Sequence, residues 1–258
     1  MRRKHWQSLA VALFAIQFAT IAFAQQPPVD AELSPGGRLR CAVIGIPVLG
    51  GIGQPIGKYI AARLGASFEP VVYPNPQAYE KSFAKADWDI ALGPRVLAPA
   101  DKADVTGDLW LIDLQYFAAP GKAFASSDQV DRAGAKVGTI LNSPSDRFLS
   151  RTLKSAELVR IPLTANFPSD AIELLRAGKA DVFGADAGLI ASISAGYPGG
   201  TIVPGAFNTV RAAAALPKGR SPAAMARLIE ILDEAKRAGV IQQAIDRAGP
   251  KSGVRAAN

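Results

Sequence analysis

Histidine and cysteine are almost absent from this sequence. The chain has 258 residues, with one histidine, His5, and one cysteine, Cys41. His5 lies in an N-terminal segment that we expect to be removed, which leaves no histidine for a Ser-His-Asp triad or a histidine zinc site. A single cysteine excludes an internal disulfide. Cys41 alternates with Leu39 and Val43, which predicts a buried strand thiol rather than a nucleophile.

The N-terminus has the pattern of a secretory signal peptide. Arg2, Arg3 and Lys4 precede an apolar run that ends in the small-x-small sequence Ala22-Phe23-Ala24. The apolar run is shorter than the roughly 20 residues of a membrane-spanning helix, which favours cleavage over anchoring. We therefore predict a signal peptide at 1–24, a flexible leader rich in Pro, Gln and Gly at 25–37, and a protein located in the periplasm.

Dense positive charge is also lacking. The net charge of +7 includes three cations of the signal segment, and the remaining Lys and Arg residues are dispersed. A nucleic-acid-binding protein is expected to carry a basic stripe or a known binding module. Neither is present, so nucleic acid is not an expected partner.

Apolar strand-like runs alternate with helix-like segments along the chain. Each of two successive groups reads strand, helix, strand, helix, strand, which predicts two α/β lobes with parallel sheets. Two further apolar runs, 109–121 and 208–219, are predicted to cross between the lobes. The predicted strands are 39–45, 68–73, 88–93, 136–140, 157–161 and 180–185.

A glycine-rich stretch after the first strand raises the alternative of a nucleotide site. Gly51, Gly53 and Gly57 give G-x-G-x-x-x-G rather than the dinucleotide fingerprint G-x-G-x-x-G. The second strand ends in V-V-Y-P without the acid that would hold a ribose, and no Gly-Lys-Ser/Thr follows Gly50. We interpret 46–53 as a loop at the rim of a cleft, with Pro55 in the first turn of the following helix. This loop either contacts a ligand or serves as a tight turn.

The order of several motifs resembles the family 3 solute-binding proteins of ABC importers. The matching pieces are "LRCAVIG", "WDIALGP", "LLRAGKADVFGAD" and "ALPKGRSPA". The resemblance implies a two-lobed type 2 periplasmic binding protein fold, each lobe a mostly parallel sheet flanked by helices, with two crossing strands as the hinge. Lobe 1 is expected to comprise 38–115 and 208–258, and lobe 2 to comprise 119–204.

The same resemblance implies a function. A monomer would capture a small polar solute, an amino acid or a related carboxylate or amine, and deliver it to an inner-membrane permease. No cofactor, metal or catalytic residue is expected. The residues expected to bind the ligand are Pro47, Leu49, Gly50, Gly93, Arg95, Asp113, Gln115, Tyr116, Asn142, Ser143, Ser145, Asp146 and Asp186.

Two of these candidate groups also have ordinary structural interpretations. Asn142, Ser143 and Ser145 lie at the start of a helix, where they suit an anionic group and where Ser143 or Ser145 also suits the helix cap; one can cap while its neighbours bind. Asp186 matches the acid that meets the ligand's ammonium in amino acid binders, and it also suits a helix cap.

The sequence departs from the family where the ligand carboxylate is usually held. The expected arginine is missing from its usual place; Arg95 comes early, and Lys102 lacks the planar fork of arginine. Trp110 is a candidate to replace a missing aromatic that stacks on the ligand. A sensory or interaction protein and a dehydratase-like enzyme remain alternatives, the second with Asp113 or Asp186 as its acid.

Overall fold

The computed structural model describes residues 29–249 and 252–257. The predicted signal peptide at 1–24 lies outside these residues. None of the helices in the described ranges is both long enough and apolar enough to cross a membrane.

Within these ranges, ten strands form one sheet with eight α-helices around it. The strands are β1 (Arg38–Ile44), β2 (Ser67–Tyr73), β3 (Ile90–Pro94), β4 (Ala103–Ala118), β5 (Lys136–Ile140), β6 (Glu157–Ile161), β7 (Val182–Asp186), β8 (Thr201–Ile202), β9 (Asn208–Pro217) and β10 (Val254–Ala256). The helices are α1 (Val29–Leu33), α2 (Pro47–Arg63), α3 (Pro76–Ser82), α4 (Pro144–Thr152), α5 (Ser169–Arg176), α6 (Ala187–Gly196), α7 (Pro222–Arg237) and α8 (Val240–Ala248).

The sheet consists of two parallel halves joined by antiparallel crossing strands. Its order is β2-β1-β3-β9-β4-β7-β5-β6, with β8 and β10 also paired to β4. Strand β1 is parallel to β2 and β3 in the first lobe, and β5 is parallel to β6 and β7 in the second. Strand β4 pairs with β9 along most of its length and then with β7 of the second lobe. The predicted two-lobed α/β fold with crossing strands is confirmed, and the residue bounds of the lobes stay predictions.

The glycine-rich stretch after β1 is helical, so the prediction of a loop at 46–53 was wrong. Helix α2 begins at Pro47, and Pro55 lies inside the helix rather than in its first turn. A Cβ at Gly53 would stand 2.9 Å from Val43, and one at Gly57 would stand 2.9 Å from the Cys41 sulfur. These glycines let α2 approach β1 closely, a packing gain that outweighs their low helix propensity.

Part of the segment expected as a flexible leader is ordered as helix α1. The Leu33 side chain is fully buried, and α1 packs against α7. The Ser221 backbone N–H and hydroxyl donate to the two Glu32 carboxylate oxygens at 2.6 and 2.7 Å, and Arg227 donates to Asp30 at 3.0 Å. The prediction of a leader that is flexible throughout missed these partners because they lie near the other end of the chain.

Replacing Leu33 with alanine tests whether α1 is part of the core. We expect Leu33→Ala to lower the free energy of unfolding by about 2–5 kcal/mol, because a fully buried leucine leaves a cavity when truncated. Urea denaturation followed by circular dichroism measures this loss. The half-buried Val29 on the same helix is the matched control, and Val29→Ala should lose less. Equal, small losses for both variants would show that α1 does not contribute to the core.

Candidate functional site

A cavity lies between the two lobes, where the carboxyl ends of their parallel strands meet. This is the position at which open α/β sheets bind ligands. The volume of the cavity is about 30 Å³, which is room for about two water molecules at 10–15 Å³ each. Both lobes and both crossing strands contribute to its wall. The lining residues are Ile44, Ile46, Leu49, Pro76, Pro94, Ile112, Leu114, Ile140, Ser143, Pro144, Ser145, Leu163, Ala185, Asp186, Leu189 and Val210.

Asp186 is the one ionisable side chain in this lining. It is the last residue of β7 and the N-cap of α6, where its Oδ1 accepts from the Leu189 backbone N–H at 3.1 Å. A carboxylate at a helix N-terminus is stabilised by the N–H groups and dipole of that helix. Asp186 therefore caps α6 and also lines the interlobe cavity, and its contact with a ligand stays a prediction.

The surroundings of Asp186 raise its proton affinity. Burial raises the pKa of the Asp186 carboxyl to about 6, although hydrogen bonds from the backbone N–H groups of Leu189, Asp186 itself and Gly188 oppose the shift. Leu114 pairs with Asp186 on β4, and most of the cavity lining that it shares is aliphatic. The carboxyl is thus poised to gain a proton or a cationic partner near neutral pH.

Three hydroxyl groups form a chain between the end of β5 and the start of α4, and two of them line the same cavity as Asp186. The Thr139 hydroxyl donates to the Gly184 carbonyl at 2.9 Å and lies 3.0 Å from the Ser145 oxygen. Ser145 lies 2.7 Å from Ser143, whose oxygen accepts the Asp146 backbone N–H as the N-cap of α4. The prediction that Ser143 caps the helix is therefore confirmed. Ser143 and Ser145 also line the cavity.

Two contacts close the cleft around the cavity. Glu80 on α3 of the first lobe forms a salt bridge with Arg147 on α4 of the second lobe, with both side chains less than a third exposed. Val48 of α2 packs onto Gly188 at the start of α6, where an added Cβ would stand 2.7 Å from the valine. These lobe-to-lobe contacts depend on closure, because each joins elements of different lobes.

Four of the residues expected to bind a ligand line this cavity together: Leu49, Ser143, Ser145 and Asp186. Asn142 and Asp146 stay within the second lobe. The Asp146 carboxylate accepts from the Asn142 backbone N–H and from Arg160, both at 2.8 Å. Through these hydrogen bonds the Asp146 carboxylate stabilises the turn before α4.

The candidates in the first lobe lie around the cavity rather than in it. Pro47 lines an outer groove of the cleft, Gly50 packs inside α2 against Ile44, and Gly93 lies against the Tyr79 hydroxyl. Arg95 lines a second outer groove and lies 3.4 Å from Asp108. Lys102 is exposed beside Asp101 in the turn before β4.

None of the candidates on the crossing strand lines the cavity. Asp113 accepts from Thr209 at 2.8 Å and from Arg255 at 2.7 Å. Gln115 lines a separate pocket, and Tyr116 is buried with its ring stacked on Phe207. Trp110 is fully buried, so it has no surface to offer a ligand.

The sequence analysis missed the aliphatic wall of the cavity. Ile44 and Ile140 are the last residues of β1 and β5, and Ile112 pairs with Val210 across the crossing strands. The first strand of each lobe ends in an isoleucine, and this pattern was the signal available in the sequence. The polar residues nearby drew attention instead, because binding sites are usually sought among polar groups.

The arrangement suits binding of a small hydrogen-bond donor or cation. The cavity lining combines one carboxyl and two hydroxyls with otherwise aliphatic side chains. Within residues 29–249 and 252–257, no group of three or more His, Cys, Asp or Glu residues is placed to hold a metal.

The stability of the protein should depend on pH through Asp186. A carboxyl with a raised folded-state pKa destabilises the fold when ionised, so stability should increase as pH falls from about 7 toward 4. Asp186→Asn keeps the capping oxygen and removes the charge. We expect this variant to be more stable than wild type by about 2 kcal/mol at pH 8, with the difference vanishing near pH 4.

Urea denaturation at pH 4 to 8 measures this difference, with the exposed Asp128→Asn as the matched control. A difference between wild type and Asp186→Asn that is constant over this pH range would contradict the raised pKa.

Comparisons with known proteins show which solved structures share this architecture. No protein-family model matches the sequence, and no curated protein is significantly similar to it in sequence. Solved structures do match. A solute receptor for L-cysteine from Neisseria gonorrhoeae has a TM-score of 0.69 at 15% identity, covering 89% of this chain and 99% of its own.

Two other matches have similar scores. An amino acid ABC transporter substrate-binding protein from Streptococcus pneumoniae, bound to L-arginine, has a TM-score of 0.63 at 17% identity, covering 84% of this chain and 96% of its own. An ancestral amino acid-binding protein, a precursor of cyclohexadienyl dehydratase, has a TM-score of 0.63 at 16% identity, covering 82% and 94%. The chain therefore has the two-lobed type 2 periplasmic binding protein fold that the sequence resemblance predicted.

Proposed function

We propose that this protein captures a small polar solute between its lobes and delivers it to the permease of an ABC importer. The observation that carries the proposal is the shared cavity, whose wall is built from both lobes and both crossing strands. A site divided in this way is complete only when the lobes are together. Solute binding and lobe closure would then be coupled, as in hinge-closing binding proteins.

The salt bridge between Glu80 and Arg147 supports coupled closure. It joins α3 and α4 across the cleft and forms only when these helices approach each other. Partly exposed ion pairs contribute little stability on their own, typically about 0–1 kcal/mol. The bridge is therefore suited to favour a closed state that a solute stabilises, without locking the lobes shut.

The solved structures with this fold support the same role. Their names include an L-cysteine receptor and an L-arginine-bound transporter protein. By analogy, this chain would act as a monomer in the periplasm after removal of the signal peptide. It would then deliver the captured solute to an inner-membrane permease, which carries the solute across the membrane.

Two alternatives use the same cleft. A sensory or interaction protein would close in the same way and hand the closed form to a receptor. A dehydratase-like enzyme has one specific observation in its favour, the pKa of about 6 at Asp186, which suits proton transfer near neutral pH. One carboxyl without a second acid or base in the cavity lining favours binding over catalysis.

A melting-temperature screen tests solute capture. The purified protein is unfolded and refolded to remove carried-over solute, then heated with amino acids, amines, small carboxylates and sugars. A solute at 100 times its Kd should add about 2.7 kcal/mol and raise the Tm by several degrees.

A cavity-filling variant locates the site of any stabilisation. Leu163→Trp places an indole at a half-buried residue of the cavity wall and should abolish the shift. Leu153→Trp, at a half-buried leucine of the same lobe away from the cavity, should retain it. A shift that survives Leu163→Trp, or no shift with any class of solute, would contradict capture between the lobes.

A further inference from the structure

We propose that the interlobe cavity selects a short aliphatic ammonium ion and discriminates against the corresponding α-amino acid. This inference rests on the proposed function, since it names the class of solute that the same cavity would take. Three features of the cavity carry it: the sign of its charge, the direction of its hydrogen bonds and the chemistry of its walls.

The charge of the lining is negative and is not balanced. Asp186 is its one ionisable group, and no lysine or arginine of the described residues lines the cavity. Two arginines near the cleft are engaged elsewhere, Arg95 with Asp108 and Arg147 with Glu80. An ammonium group would compensate the half-buried Asp186 carboxylate. A ligand carboxylate would add a second anion with no cation to receive it, which is costly in a poorly solvated site.

The hydroxyl chain presents acceptors to the cavity. The Gly184 carbonyl can only accept, so the Thr139 hydroxyl donates to it. The Thr139 oxygen then accepts from Ser145, and Ser145 in turn accepts from Ser143. All three hydroxyl hydrogens are committed within the protein, and the serine oxygens retain lone pairs. These hydroxyls therefore offer acceptors to a ligand, which fit the N–H donors of an ammonium group.

The remaining wall is aliphatic. Isoleucine, leucine, valine, proline and alanine side chains make up the rest of the lining. A second ammonium or a carboxylate further along the ligand would lie against these side chains without a polar partner. The cavity volume of about 30 Å³ is room for an ammonium group, and the lobes would have to part slightly to admit a short alkyl chain against this wall.

Isobutylamine and L-valine form a matched pair for the test, because the amine is valine without its carboxylate. Isothermal titration at pH 7.5 measures both ligands, with 2-methylpropan-1-ol as the neutral analogue. We expect isobutylamine to bind at least about tenfold more tightly than valine or the alcohol, the factor that one charged hydrogen bond provides.

Asp186→Asn separates charge from structure, because asparagine also caps a helix. We expect this variant to bind isobutylamine about 10- to 150-fold more weakly, while Asp128→Asn binds it as wild type does. Valine binding as tightly as isobutylamine, or unchanged amine affinity in Asp186→Asn, would overturn the proposal.

The outcome also distinguishes this inference from the proposed function. One outcome is that isobutylamine does not bind, while another solute raises the Tm and Leu163→Trp abolishes that rise. In that case the inference about ammonium ions is wrong and solute capture between the lobes stands. If no solute binds at all, both fail together.

Discussion

The antiparallel pairing of β4 with β9 is the constraint on which the rest of the structure depends. Strand β4 runs through sixteen residues from one lobe to the other, and β9 accompanies it for most of that length. The parallel halves of the sheet are attached on either side of this pair, so the carboxyl ends of their strands face one cleft. Ile112, Leu114 and Val210 come from the crossing strands themselves and form part of the cavity wall.

The placement of Asp186 shows how stability and binding meet at one residue. Its carboxylate caps α6, which favours the folded state, yet burial at an aliphatic cavity disfavours the charge. A buried, uncompensated charge is a cost that an arriving cation relieves. The same unfavourable interaction therefore provides differential affinity for a cationic ligand, and closure of the lobes strengthens it by excluding water.

Much of the fold could be predicted from the sequence. Apolar runs bounded by turn residues identified all six strands of the parallel halves, and β5 and β6 agree residue for residue. The start of α2 could not be predicted, because glycines with low helix propensity are used there for close packing on β1. Helix α1 is held in place by Ser221 and Arg227, which lie almost 200 residues away in the chain. The sequence around α1 therefore gives no sign that this segment is ordered.

The candidate site was less accessible to sequence reasoning. Ser143 and Ser145 follow from their positions at a helix N-terminus beside the carboxyl end of a strand, and Asp186 follows from the family resemblance. The directions in which Asp113, Gln115 and Tyr116 point depend on the twist and pairing of β4, which the sequence pattern does not specify. The Glu80–Arg147 bridge depends on the approach of two lobes that meet only in the folded structure.

The most direct test of this account is the distance between the lobes. Lys58→Cys on α2 and Glu173→Cys on α5 place exposed labelling sites on opposite lobes, and Cys41 should stay unlabelled because burial raises its pKa to about 12. Pulsed electron–electron double resonance on the spin-labelled protein should show that isobutylamine shifts the distances to one short population, and that Asp186→Asn prevents the shift. Distances that isobutylamine leaves unchanged, or closure that persists in Asp186→Asn, would contradict capture of an ammonium ion between the lobes.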